Sequence, residues 1–185
     1  MEIKQFIPNQ QVIDELKDMV PRGIVVHHTA GSRSQTMQSL HDWFVVGRKN
    51  EGYVAIGYHY CIYENGDIYC TRPPTKIGGH APGYNGTHIG ISFVGDFTKE
   101  KPTREAWNAF TQACMYLMET YNFDSSAIIP HVEAKKLAKL GSTACPGHNI
   151  LELLKTPFIP DKKTLEPDLS AFTTKELAIE LVNRL

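Results

Sequence analysis

Histidine and cysteine side chains occur at three separated points where the chain could hold a metal ion. His27 and His28 end a β-branched, apolar run, His131 follows another short apolar run, and Cys145 lies in a tight turn at 143–147. Two imidazoles and a thiolate would fill three positions of a tetrahedral zinc ion and leave the fourth open for water, as a catalytic zinc site requires. The residues alone do not choose between His27 and His28.

Each of these signals is weak by itself. A histidine at the end of a strand is more often a satisfied core or surface residue than a ligand, and a single cysteine is usually just buried. The candidate ligands also lie far apart in the chain, and no local metal-binding motif such as HExxH connects them. The order of the surrounding segments is more informative than any one residue.

Five short segments resemble, in order, those of the type 2 N-acetylmuramoyl-L-alanine amidases, a family that includes phage endolysins and the peptidoglycan recognition proteins. The resemblance covers roughly residues 22–155 and leaves out the first twenty residues and the tail. The segments are 26–31 (VHHTAG), 57–60 (GYHY), 80–85 (HAPGYN), 89–95 (IGISFVG) and 143–147 (TACPG).

The resemblance implies one catalytic Zn²⁺, held by His27, His131 and Cys145, with His28 left as a packing residue. The reaction it implies is hydrolysis of the amide between N-acetylmuramic acid and the L-alanine of the stem peptide in bacterial peptidoglycan. The chemistry is consistent, because zinc lowers the pKa of a bound water to about 7 and so supplies hydroxide at neutral pH.

The resemblance also implies roles for four further side chains. Tyr58 matches the family's catalytic tyrosine, and Thr143 lies where family members carry lysine or threonine. His80 and Asn85 match the segment that lines the substrate groove. Without the resemblance, Tyr58 would be interpreted as an aromatic packed on a sheet, and the other two as residues of a polar loop.

Two features depart from the family pattern. Some relatives carry a glutamate general base where this chain has Ser92, so proton transfer falls to Tyr58, a histidine or zinc hydroxide. The spacing from His131 to Cys145 is also longer than usual, and the extra residues 135–140 look helical. We expect the intact TACPG turn to keep Cys145 in place despite this insertion.

The elements needed to position these residues predict an α/β fold, with a mixed central β-sheet flanked by helices in one domain, 1–157. Residues 1–20 are expected to form a helical or irregular lead-in. Period-two and helical patterns indicate strands at 23–28, 58–63, 68–70, 88–94 and 127–129, and helices at 36–46, 103–121 and 149–155.

The chain has four cysteines, of which two lie in a predicted hairpin. An Asn65-Gly66 turn of two residues would place Cys61 opposite Cys70, at a site where a cross-strand disulfide is geometrically possible. Two reduced thiols packed side by side are the alternative, and the one that we prefer for a cytosolic chain. Cys114 is expected to be a small core residue on a helix.

Composition limits the partners. With 19 basic and 20 acidic residues the formal net charge is −1, which gives no reason to expect nucleic acid, and no apolar run is long enough to span a membrane. The N-terminal residues lack an apolar signal region, so we expect synthesis in the cytoplasm and action on the cell wall after release, as for an endolysin. The oligomeric state stays open.

The C-terminal segment 158–185 is predicted to be a proline-punctuated linker followed by a helix at 177–185, too short for a domain. Three alternatives to a lytic amidase remain: a non-catalytic peptidoglycan-binding module of the same fold, a regulatory protein in which the amidase domain or this tail inhibits a partner, and an unrelated zinc peptidase. Cys145 favours hydrolysis over binding, because non-catalytic relatives usually lack this ligand. A peptidase would need a nearby carboxylate base, and the sequence does not let us place one.

Overall fold

The computed structural model describes residues 2–155, so the predicted linker and helix of 158–185 lie outside the described residues. A six-stranded mixed sheet forms the centre, in the order β1-β4-β3-β5-β2-β6. Its strands are β1 (Ile3–Gln5), β2 (Ile24–His28), β3 (Tyr60–Ile62), β4 (Ile68–Cys70), β5 (Ile89–Phe93) and β6 (Ile128–Pro130). Strands β3, β5, β2 and β6 run parallel, and β4 is antiparallel to β3.

Helices cover both faces of this sheet, which confirms the predicted fold class. They are α1 (Gln10–Asp14), α2 (Met37–Asp42, continued by a π-helical turn at Trp43–Gly47), α3 (Arg104–Tyr121), α4 (His131–Leu137) and α5 (His148–Leu154). Helices α3 and α5 pack in the larger core on one face, whereas α2 and α4 pack in two smaller clusters on the other. Within residues 2–155, no helix combines the length and apolar character needed to cross a bilayer.

Strand β2 is buried along its whole length, and its side chains alternate between the two faces. Ile24 and Val26 lie in the core under α3, whereas Val25 packs with Ala134 of α4 on the opposite face. The same alternation sends His27 to the face of α4 and His28 to the face of α3. This alternation distinguishes two neighbouring histidines that the sequence could not separate.

The start of the chain differs from the helical or irregular lead-in that we expected. Ile3–Gln5 forms β1 at the edge of the sheet, parallel to β4, and a short helix, α1, follows. The Lys4 ammonium lies 2.6 Å from the Asp67 carboxylate, which ties the strand to the hairpin. A three-residue strand carries no detectable period, and its pairing depends on an edge contributed by residues more than sixty positions later.

The hairpin of β3 and β4 forms, but its predicted register is wrong by one residue. Cys61 pairs with Tyr69 and Tyr60 pairs with Cys70. The cause is a longer loop over 64–66, in which Gly66 adopts a positive φ of 85° and the Tyr63 N–H donates to the Asp67 carbonyl.

A slip of one residue reverses the face of every side chain on a strand. Cys61 therefore packs with Phe44 and Ile56 on the α2 face, whereas Cys70 lies in the core under α3. Both cysteines are free thiols, so the cross-strand disulfide is not formed. Cys114 lies buried in the α3 core, as expected.

Candidate metal centre

The candidate metal centre lies at the carboxyl ends of the parallel strands β6 and β2, on the face covered by α4. His27 is buried near the end of β2, and His131 follows β6 directly as the first residue of α4. Because β2 and β6 are hydrogen-bonded neighbours in parallel register, their ends meet at one edge of the sheet. The topology thus brings together two histidines that are remote in sequence.

Three hydrogen bonds donated by backbone N–H groups fix the position of Cys145. The Val132 N–H, in the first turn of α4, donates to the Cys145 carbonyl at 3.0 Å. The His28 N–H donates to the Cys145 Sγ at 3.3 Å, and the Cys145 N–H donates to the Thr143 hydroxyl at 3.2 Å. The extra residues 135–140 are taken up by the last turns of α4 and by the turn that follows, so the insertion leaves Cys145 beside both histidines.

The ligand atoms of His27, His131 and Cys145 all lie within 4.8 Å of one another. The Cys145 Sγ is 3.6 Å from the His27 Nδ1, and the rings of His27 and His131 have centroids 4.5 Å apart. Tetrahedral zinc, with bonds of about 2.0–2.1 Å to nitrogen and about 2.3 Å to sulfur, places two such ligands about 3.5 Å apart. The donor set and the 3.6 Å between the Cys145 Sγ and the His27 Nδ1 therefore fit zinc.

Burial keeps the three candidate ligands uncharged while no cation is bound. It lowers the pKa of His27 well below its usual value, with neighbouring histidines adding to the effect, and lowers the pKa of His131 to about 4. Burial also raises the pKa of the Cys145 thiol to about 12. Neutral imidazoles offer lone pairs to a metal, whereas the thiol must release its proton when a cation binds.

Tyr58, just before β3, borders this centre. Its ring centroid is 5.1 Å from that of His27 and 5.5 Å from that of Phe44, so the phenol is both next to the centre and packed on the sheet. Burial raises the pKa of Tyr58, and an interaction with the Ser92 hydroxyl offsets only part of that rise. The phenol therefore stays protonated at neutral pH and can act as a hydrogen-bond donor.

Thr143 lies two residues before Cys145 and is half-buried. Its oxygen accepts the Cys145 N–H, which leaves its own hydroxyl hydrogen free to donate to another group. Ser92, at the position where some relatives carry a carboxylate, is fully buried beside His27 in the register of β2 and β5. The structure thus brings two neutral hydroxyl donors, Tyr58 and Thr143, to the edge of the centre.

His80 lies inside the protein against His27. Its Nδ1 is 3.0 Å from the His27 Nε2, and its own Nε2 is 3.0 Å from the His88 carbonyl oxygen. Asn85 fixes this loop, because its side-chain oxygen accepts the backbone N–H groups of His80 and Ala81 at 2.8 and 2.7 Å. That His80 and Asn85 contact substrate stays a prediction; the contacts within the protein concern His27 and the loop itself.

Sequence reasoning did not select His59 or Gly90, although both shape the centre. The buried His59 accepts the Gly90 N–H at its Nδ1 (2.9 Å) and donates from its Nε2 to the Lys76 carbonyl (2.8 Å). Gly90 has no side chain where the His80 ring lies, and a Cβ there would come within 2.6 Å of the His80 Cγ. The sequence shows the motifs that contain them, GYHY at 57–60 and IGISFVG at 89–95, but not the contact between His59 and Gly90.

Comparison with known proteins gives a consistent match. Residues 17–148 match the family model of the N-acetylmuramoyl-L-alanine amidases. Peptidoglycan-recognition protein SD of Drosophila simulans is 33% identical over 108 residues, which are 55% of this chain and 56% of that protein. The chain thus spans only about half the length of such a relative.

Solved structures of an amidase and of an endolysin share the fold. N-acetylmuramoyl-L-alanine amidase LysC from Clostridium intestinale has 30% identity and a TM-score of 0.69, over 84% of this chain and 95% of that one. The Ph2119 endolysin from a Thermus scotoductus bacteriophage has 26% identity and a TM-score of 0.65, over 83% of this chain and 96% of that one.

Proposed function

Because the chain belongs to the N-acetylmuramoyl-L-alanine amidase family, we propose that it is a zinc-dependent hydrolase of bacterial peptidoglycan. It cleaves the amide between N-acetylmuramic acid and the L-alanine of the stem peptide. The observation that carries the proposal is the grouping of the ligand atoms of His27, His131 and Cys145 within 4.8 Å of one another. Three protein ligands with an open fourth position are the pattern of catalytic zinc sites, whereas structural sites are closed by four.

The candidate metal-binding side chains are each fixed by the fold around them, which supports a catalytic role. His27 is fixed in β2 and His131 at the start of α4, while the Cys145 Sγ accepts the His28 N–H. When bound, zinc would supply a Lewis acid for the substrate carbonyl and a water molecule of lowered pKa. The residues around it then need only orient the amide and stabilise negative charge on its oxygen.

Tyr58 and Thr143 are suited to that second task. The Tyr58 phenol stays protonated because burial raises its pKa, and the Thr143 hydroxyl has its hydrogen free, since its oxygen already accepts the Cys145 N–H. Both would donate to the carbonyl oxygen as the carbonyl carbon becomes tetrahedral and the oxygen gains negative charge. With Ser92 in place of a carboxylate base, proton transfer to the leaving amine falls to Tyr58, a histidine or the metal site.

A binding module of the same fold is the competing proposal, and the relatives called recognition proteins are its support. Cys145 distinguishes the two, because recognition of a glycopeptide needs no thiolate, whereas the zinc chemistry does. The likeness to LysC, which is called an amidase, also favours hydrolysis. We therefore place the binding module second.

We further propose that the enzyme is lytic, made in the cytoplasm and brought to the wall only after release. The likeness to the Ph2119 endolysin supports this proposal. External addition of the protein to bacteria with an intact outer membrane should then have little effect, whereas permeabilised cells or isolated walls should be cleared. Equal clearing of intact and permeabilised cells would contradict it.

Digestion of purified peptidoglycan, followed by mass spectrometry of the soluble products, tests the reaction. The proposal predicts stem peptides with a free L-alanine amino terminus and glycan strands with unsubstituted lactyl groups. Cys145→Ser should abolish both products and zinc retention together, because the sulfur shares the ion with both imidazoles. Binding to peptidoglycan without any released peptide would support the module instead.

A further inference from the structure

Two buried hydrogen bonds run in series from the metal centre to the backbone. The His27 Nε2 lies 3.0 Å from the His80 Nδ1, and the His80 Nε2 lies 3.0 Å from the carbonyl oxygen of His88. On its other side, the His27 ring presents Nδ1 to the Cys145 Sγ at 3.6 Å. Each of the four ring nitrogens of His27 and His80 therefore has an identified neighbour.

The direction of these bonds follows from the carbonyl at their end. A carbonyl oxygen only accepts, so the His80 Nε2 must carry the hydrogen. In a neutral imidazole the other nitrogen is then bare, so the His80 Nδ1 accepts and the His27 Nε2 must donate to it. The His27 Nδ1 is left with its lone pair directed at the metal centre.

The geometry points to His80 as a positioning residue, which fixes the tautomer and ring orientation of His27 so that its Nδ1 binds the metal. The inference rests on the proposed zinc site, and it gives His80 a role through His27 in place of contact with substrate. Outer partners of this kind orient a ligating histidine and raise its basicity.

The surroundings of His80 are shaped to hold this one orientation. A Cβ on Gly90 would lie 2.6 Å from the His80 Cγ, and a Cβ on Gly78 would lie 2.5 Å from its Cδ2. The ring therefore occupies a slot between two glycines. Asn85 holds the backbone at the other end, through the N–H groups of His80 and Ala81.

Substitution of His80 tests the inference through zinc affinity. His80→Phe keeps a ring in the slot but removes the acceptor, and we expect zinc affinity to fall about 10–100-fold. In His80→Asn the side-chain oxygen can replace Nδ1 as acceptor, and we expect affinity to recover most of this loss. The matched control is His41→Phe, the same change on α2, where the ring neighbours Phe6 and Asp42.

A second measurement needs neither zinc nor activity. Long-range ¹H–¹⁵N correlation spectra of the metal-free protein report which nitrogen of each histidine carries hydrogen. We expect His27 to be protonated at Nε2 in the wild type and to lose this preference in His80→Phe, while His41→Phe leaves it unchanged.

The outcomes separate the inference from the proposed function. Wild-type protein that binds no zinc would overturn the amidase proposal, while the tautomer spectra would still decide the role of His80. Unchanged zinc affinity in His80→Phe would overturn the inference, as would an equal loss in His80→Phe and His80→Asn, because that pattern reports packing instead of an acceptor. A His27 protonated at Nδ1 in the wild type would overturn it as well.

Discussion

Gly90→Ala is the substitution whose consequence the structure determines most sharply. Its new Cβ would lie 2.6, 2.7 and 2.9 Å from the Cγ, Cδ2 and Nδ1 of the His80 ring, closer than real Cβ contacts come. Strand β5 is central and buried, so the backbone has little freedom to move, and the ring must leave its slot. His80 then loses its hydrogen bonds to His27 and to the His88 carbonyl.

The loss of stability in Gly90→Ala can be worked out from those two hydrogen bonds. Each buried partner left unpaired costs about 1–3 kcal/mol, and replacing a strand glycine by alanine returns about 0.5–1 kcal/mol. We therefore expect a net loss of about 1–5 kcal/mol in the free energy of unfolding. For a domain of this size that loss lowers Tm by roughly 2–20 °C.

Thermal unfolding of metal-free protein measures this loss, and Gly86→Ala is the matched control. Gly86 is exposed, and a Cβ there would meet only the Ile77 Cδ1, at 4.0 Å. We expect the control to melt with the wild type. A Gly90→Ala protein that melts at the same temperature as its control would refute this reasoning, because the His80 ring would then tolerate the extra methyl group.

Three further predictions concern catalysis, the core and acid stability. Tyr58→Phe should retain zinc but lower the turnover rate about 10²–10³-fold, since one donor to the oxyanion is lost; a normal rate in a peptide-release assay would remove Tyr58 from the mechanism. Phe110→Ala, at a fully buried ring between Phe93 and Trp107, should cost about 3–5 kcal/mol in urea unfolding, and a loss below 1 kcal/mol would contradict this packing. Burial lowers the pKa of His59 from 6.5 to about 3. Between these pH values the unfolded chain binds a proton at this residue and the folded chain does not. Because of His59, the free energy of unfolding should therefore fall by about 1.4 kcal/mol per pH unit from pH 6.5 down to about 3. Urea unfolding of metal-free protein at several pH values should show a shallower fall in His59→Gln, and an unchanged slope would mean that His59 is protonated in the fold.

The parts of the fold with strong periodicity were predictable from the sequence. The apolar runs of β2 and β5 and the helical repeat of α3 appear close to their predicted bounds, because each buries enough apolar surface to decide its own structure. The edge strand β1 was missed, because three residues have no period and their pairing is decided by β4.

The turn residues of the β3–β4 hairpin do not determine its register. Asn65-Gly66 is compatible with a two-residue loop and also with the longer loop over 64–66, since both place Gly66 at positive φ. The register is selected by the side chains that reach each core: those of Tyr60 and Cys70 lie in the core under α3, and those of Cys61 and Tyr69 lie on the α2 face. The prediction of facing Cys61 and Cys70 failed for that reason.

The candidate site was predictable as a set of residues but not as an arrangement. The resemblance named His27, His131 and Cys145, and the structure brings them together, with His27 selected over His28 by the face on which it lies. The contact between His80 and His27 joins residues 53 positions apart and depends on empty space at Gly90. No pattern within either segment encodes that distance.

X-ray absorption spectroscopy of the zinc-loaded protein, combined with elemental analysis, tests the central claim most directly. The account predicts one zinc per chain, with a first shell of one sulfur, two imidazole nitrogens and one light atom from solvent, and no zinc retained in Cys145→Ser. Zinc bound with no sulfur in its first shell, or one zinc per chain still retained in Cys145→Ser, would contradict it.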